Sequence, residues 1–136
     1  MLEENVDAQA ISDGVGAEQV VASRSLEISN ALARLHKQYV GRGPTSARTT
    51  IDGNLVVCLL EGGYTQAEQT LEATDKGDVV AAGRLGLQQA MRRAMIEAVE
   101  EALGRRVCSF MSANDIVQNL QVEVFVLYER ELTGLA

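Results

Sequence analysis

Between residues 54 and 60 the chain reads Asn-Leu-Val-Val-Cys-Leu-Leu. Six successive apolar side chains, Leu55 to Leu60, fall far short of the ~20 that a membrane-spanning helix needs. Val-rich composition suits a strand. Asp52-Gly53 stands directly before the run, and Ser46–Ile51, with Thr49 and Thr50, stands before that. Asp-Gly between two β-prone runs predicts a hairpin, because both central residues of such a turn favour positive φ. A strand with one wet face alternates apolar and polar residues. Here Leu55, Val57 and Leu59 fall on one face and Val56, Cys58 and Leu60 on the other. Both faces of the strand want cover, one from the main helices and the other from the short helix, the N-terminal tail or a second copy of the protein.

The flanking pattern is helical. Ser25 can cap a helix in which Ile28, Ala31, Leu32, Leu35 and Tyr39 line one side, with Arg34, Lys37 and Gln38 opposite. Gly41-Arg42-Gly43-Pro44 ends it. Thr65-Gln66-Ala67-Glu68 has capping-box spacing and predicts a short helix to about Ala73. Asp78 can cap a longer helix from Val79 to Leu103, with an apolar stripe of Val80, Leu87, Met91, Ala94, Met95, Ala98 and Ala102. Arg106–Met111 and Val122–Tyr128 read as two further strands, separated by a loop over 112–119. The expected fold is α+β in two layers. A four-stranded antiparallel sheet follows a helix–hairpin–helix–hairpin order, with the helices on one face.

One domain is expected over residues 23–130, since 136 residues suffice for one core. Residues 1–22 hold Glu3, Glu4, Asp7, Asp13 and Glu18 and no basic residue, while the remainder carries 14 acids against 12 bases. Residues 1–22 are therefore expected to be an acidic flexible tail, with 131–136 a short C-terminal end. Acidity on a nearly neutral body disfavours nucleic acid and anionic lipid as partners. The scarcity of aromatics, with no Trp and two Phe, disfavours a base-stacking platform. The N-terminus has neither the basic region nor the apolar run of a signal peptide. Cys58 and Cys108 make no CxxC, and both are expected to be buried free thiols. These features lead us to expect a cytoplasmic protein with no direct membrane insertion. Because Val122–Tyr128 is also apolar on both faces apart from Glu123, a second copy is the expected cover for the spare sheet face. The self-partnered form is expected to be a dimer.

Candidate sites are few. Gly41-Arg42-Gly43-Pro44-Thr45 lacks the phosphate-loop pattern and follows a helix, so a tight turn explains it; an anion site would use Arg42, Gly43, Thr45 and Arg48. Arg106 is a further anion candidate. Glu68 is accounted for by capping, with a functional carboxylate as the alternative. His36, the single histidine, lies in the first helix with no nucleophile placed beside it by any pattern. No metal or cofactor constellation is present, and no residue is assigned as catalytic.

Several blocks together resemble one bacterial family. They are Ile28-Ser29-Asn30-Ala31, Tyr39 to Thr45, Asn54 to Gly62, Thr65 to Leu71, Gly104 to Val107 and Val122 to Leu127. These blocks are similar to the Na+-translocating membrane-potential-generating system family, MpsC type, over about residues 25–128. The resemblance implies association with a membrane system moving cations or inorganic carbon, and it supplies no catalytic residues. It implies a non-enzymatic accessory or regulatory protein beside a membrane transport complex. A small-ligand sensor, for an anion or nucleotide, and a structural self-assembly unit are the alternatives.

Overall fold

A computed structural model describes residues 16–129. Its elements are α1 (Ala17–Val40), β1 (Ser46–Asp52), β2 (Leu55–Glu61), α2 (Gln66–Ala73), α3 (Gly77–Leu103), β3 (Val107–Asp115) and β4 (Leu120–Leu127). The sheet is antiparallel throughout, in the order β1-β2-β4-β3. Two hairpins are thus joined through their second strands, each preceded by a long helix, with α2 inserted between the halves. This is the expected α+β architecture.

Boundaries differ in instructive ways. α1 starts at Ala17, with the Gln19 side chain accepting from the Gly16 N–H, well ahead of Ser25. Residues 17–22 are therefore helical and not part of a flexible tail; the rest of that expected tail, and the expected C-terminal end, lie outside the described residues. α3 starts at Gly77, which places Asp78 inside the first turn, where its charge favours the helix dipole, instead of at the cap. The β1–β2 turn is centred one residue later than expected. Asp52 still pairs with Leu55, and of Gly53 and Asn54 only Gly53 has positive φ. That places glycine first, as a II′ turn requires. β3 runs on to Asp115, since pairing with β4 carries Ser112, Asn114 and Asp115 into the ladder despite their poor strand preference.

The register sorts the side chains cleanly. Val56, Cys58 and Leu60 of β2, and Phe125 and Leu127 of β4, face the helices. There they meet Ile28 and Leu32 of α1 and Met91, Met95, Val99 and Leu103 of α3. Phe110 packs on Phe125 with ring centroids 4.9 Å apart. This apolar core occupies the half of the layer nearest the Gly53 turn. Toward the Glu61 end the helix-facing positions become Gln121, Glu123, Ser112 and Asn114. Cys58 is buried as expected, and burial pushes its thiol up to about 11, whereas Cys108 is exposed. The β-bulge between Val107 and Ser109 turns Cys108 out of the ladder.

Candidate functional site

The polar half of the interior is organised by Arg84. This residue lies one helical turn after Val80 and one before Gln88, on the buried face of α3, and is 3% exposed. A guanidinium has five N–H donors in a fixed fork, and all five are used. Nε donates to Glu68 Oε2 at 2.7 Å, and Nη2 donates to Glu68 Oε1 at 2.9 Å and to the Gly63 carbonyl at 3.0 Å. Nη1 donates to His36 Nε2 at 2.6 Å and to Gln121 Oε1 at 3.1 Å. The guanidinium also lies 5.2 Å from the centroid of the Tyr64 ring.

Each partner is fixed in turn. His36 Nδ1 sits 2.8 Å from the Arg42 carbonyl. A carbonyl can only accept, so Nδ1 carries the proton and Nε2 accepts from Arg84. Burial lowers the His36 pKa, the bond to Arg42 partly offsets that, and the Arg84 charge lowers it further. The ring is neutral in this setting. Glu68 closes the capping box of α2. Its Oε1 accepts from the Thr65 N–H at 2.9 Å, and its own N–H donates to Thr65 Oγ1 at 3.2 Å. Burial pushes this carboxyl up, but the Arg84 and Thr65 hydrogen bonds and the Arg84 charge outweigh it and hold the pKa below its usual range.

Beyond Gln121 the chain of bonds reaches Glu123, which is 0% exposed. Glu123 Oε2 accepts from Gln121 Nε2 and, at 3.2 Å, from Gln88 Nε2, while Oε1 accepts from the Ser112 hydroxyl. Asn114 Nδ2 donates to Gln88 Oε1 at 2.7 Å. All the side-chain donors to Glu123 are neutral, and burial raises its pKa against their effect. The network therefore ties α1, α2, α3, β3 and β4 to one another at the end of the sheet opposite the Gly53 turn.

The loop that receives Arg84 depends on two glycines. Gly62 and Gly63 have φ of 73° and 91°. A Cβ on Gly62 would lie 2.6 Å from Thr45 Oγ1, and one on Gly63 would lie 3.0 Å from His36 Cε1. Only glycine lets this turn close over the histidine.

The residues singled out from sequence are placed as follows. Arg42 donates to the Tyr64 carbonyl at 3.1 Å, and Thr45 Oγ1 donates to the Glu61 carbonyl at 3.0 Å. A Cβ on Gly43 would lie 3.7 Å from Lys37 Cβ, in the same turn. Arg48 points from the open face of the sheet toward Glu61 at 3.1 Å. Arg106 stacks on Tyr128 at the Gly53 end, so it is not brought together with Arg42 and Arg48. Glu68 and His36 converge on Arg84. Sequence reasoning did not find Arg84, Gln88, Gln121 and Glu123. The available signal was polar residues at 84 and 88 interrupting an apolar helical stripe, and one carboxylate in an otherwise apolar strand. Among the described residues no cluster of three or more His, Cys, Asp or Glu is arranged to hold a metal. No helix among them is long and apolar enough to cross a membrane.

The match to a known family spans residues 22–129, which takes in every strand, the body of every helix and the whole Arg84 network. The chain belongs to the family described as the Na+-translocating membrane potential-generating system, MpsC. It is 30% identical to the Bacillus subtilis (strain 168) protein YrhF over 108 residues, covering 78% of this chain and 88% of that one. It is 28% identical to YbcI of the same organism over 111 residues, covering 70% of this chain and 90% of that one. Both are described as uncharacterized. No solved structure matches the chain. For this MpsC family member, the interior polar groups are consumed by one another. Chemistry at His36 or Glu68 would first have to break the bonds to Arg84.

Proposed function

We propose that this MpsC family protein is a non-enzymatic accessory or regulatory subunit. It works as a self-associated unit on the cytoplasmic side of a membrane system that moves cations or inorganic carbon. The observation that carries this reading is the sheet face turned away from the helices. Leu55, Val57 and Leu59 of β2 and Leu120, Val122, Val124 and Val126 of β4 lie on it, and no described element packs over them. An apolar surface of this extent is an interaction surface. The family description supplies the membrane system as the setting. A ligand sensor built on Arg42 and Arg48 would have to draw those guanidiniums away from Tyr64 and Glu61, so assembly is the better-supported reading.

The test is affinity purification from gently solubilised native membranes, together with a deletion strain. Recovery of cation- or bicarbonate-transporting subunits, with loss of Na+-dependent membrane potential in the deletion strain, is expected. Recovery of the protein alone, with membrane potential unchanged, would overturn the proposal.

A further inference from the structure

We infer that the open face of the sheet is the seam of a two-fold homodimer, formed by two copies packing sheet against sheet. The inference rests on the reading that this face is where the protein makes its contacts. The register sets out sixteen open-face positions in four rows across β1, β2, β4 and β3. They are Ser46–Glu61–Leu120–Asp115, Arg48–Leu59–Val122–Ala113, Thr50–Val57–Val124–Met111 and Asp52–Leu55–Val126–Ser109. In the two central strands seven of these eight positions are Val or Leu, the exception being Glu61 at the end. The covered side of the same strands holds Gln121 and Glu123, both buried. The side without a partner is thus the more apolar of the two, the reverse of what a sheet with one solvated face requires.

A second copy fits this face in size and in charge. Four strands ~4.8 Å apart and seven residues at ~3.3 Å each give a footprint about 20 Å on a side. With side-chain relief this approaches the ~600 Å² per partner at the lower end of stable interfaces. The polar positions are confined to the rim, where Arg48 is the one cation beside Asp52, Glu61 and Asp115. Two sheets related by a two-fold axis in the plane between them superpose the rows in one of two ways. With the axis along the strands, Asp115 meets Ser46 of the second copy, Asp52 meets Ser109, and Arg48 lies a row from Asp115. With the axis across the strands, Asp52 meets Ser46, Asp115 meets Ser109, and Arg48 lies a row from Asp52. In both arrangements the apolar centres coincide, no acid faces an acid, and Arg48 gains an acidic neighbour in the other copy. Such self-complementarity is what an isologous interface demands.

The experiment is light scattering on the purified full chain at micromolar concentration, comparing wild type with Val124→Glu, Met111→Asp and Leu85→Glu. Met111 and Leu85 are both about half exposed in the single chain, at 52% and 51%, so their replacement leaves the fold intact. Leu85 lies on α3 and serves as the control. Wild type and Leu85→Glu are expected at the mass of two chains. Val124→Glu is expected at least about tenfold weaker in dimerisation, because an unpaired charge in the dry centre of an interface is among its costliest changes. Met111→Asp is expected to weaken it too, because it removes an apolar side chain from the edge strand and adds a fourth acid to a face with one cation, Arg48. If Val124→Glu fails to fold by circular dichroism, Met111→Asp carries the test. A wild-type protein at one-chain mass overturns the inference, as does a dimer that both face variants leave intact. A monomer that still recovers transport subunits from membranes would sink the dimer seam and the self-association, and spare the accessory role beside a transport system.

Discussion

Replacing Arg84 by Met asks how much the interior network contributes. Met fills most of the same volume and removes the charge and all five donors. The loss strands Gln121 Oε1, the Gly63 carbonyl and His36 Nε2 without this donor, and leaves Glu68 with the Thr65 N–H but no cation. Breaking one side of a buried ion pair costs about 3–5 kcal/mol. That range already contains the partners left without a donor, so the orphaned neutral acceptors, about 1–3 kcal/mol each on their own, are not added to it. Glu68 is 14% exposed and can regain some water, so we take about 4 kcal/mol as the expected loss. With a urea slope of about 2 kcal/mol/M for a domain of this size, the midpoint falls by about 2 M. Urea titrations followed by far-UV circular dichroism, at one fixed chain concentration because association feeds into stability, measure it. Replacing Arg84 and Glu68 together by Met should cost clearly less than the sum of the two single changes, since no charge is then left buried. A single-variant loss below about 1 kcal/mol would refute the claim that these groups are held dry and mutually satisfied.

Four further outcomes follow from the same geometry. Glu123 has a raised folded pKa, so its contribution is complete below the unfolded carboxylate pKa and is lost as pH rises through the folded one. Glu123→Gln keeps a neutral group that can still accept from Gln88 and Gln121. It should therefore gain on wild type as pH increases, in unfolding titrations run across that window; a pH-independent difference would contradict this. His36 has the opposite slope: its folded pKa is lowered, so its stability is present above about 6.5 and is lost as pH falls through the folded value. Gly63→Ala forces a Cβ at φ 91° to 3.0 Å from His36 Cε1, and thermal melts should show a loss of about 2 kcal/mol. Cys108 should react with a thiol reagent in the native protein at once, and Cys58, buried with a pKa near 11, only as the chain unfolds.

The elements that sequence made legible are those set by local chemistry. The Thr65–Glu68 box starts α2 where expected, Gly41 and Gly104 close α1 and α3 in left-handed conformations, and Gly53 marks the hairpin. The strand ends and the start of α1 were harder, because pairing with β4 and the Gly16–Gln19 bond override the preferences of Asn114, Asp115 and the residues before Ser25. The interior network was the least legible. Glu68 looked fully explained by its cap, and its second role depends on a residue sixteen positions away. Arg84 meets His36 and Gln121 across separations of 48 and 37 residues, and no spacing rule reports such encounters. What sequence did offer was the misfit itself: Arg84 and Gln88 standing where an apolar stripe should run.

The strand order has a consequence for how the chain reaches its native state. α1 with β1–β2, and α3 with β3–β4, each form by contacts between sequence neighbours. Among the strand ladders only β2–β4, from Leu55↔Val126 to Glu61↔Leu120, zips together segments far apart along the chain, and the packing of α1 on α3 accompanies it. Loop closure of that span is the costly step, and contacts made late across it govern the folding rate more than the stability. Weakening changes in the halves that must form first, such as the Gly53 hairpin, or in the β2–β4 contacts made as they join, should therefore slow refolding more than they hasten unfolding. The central seam of the sheet is then the kinetic bottleneck as well as the join between halves.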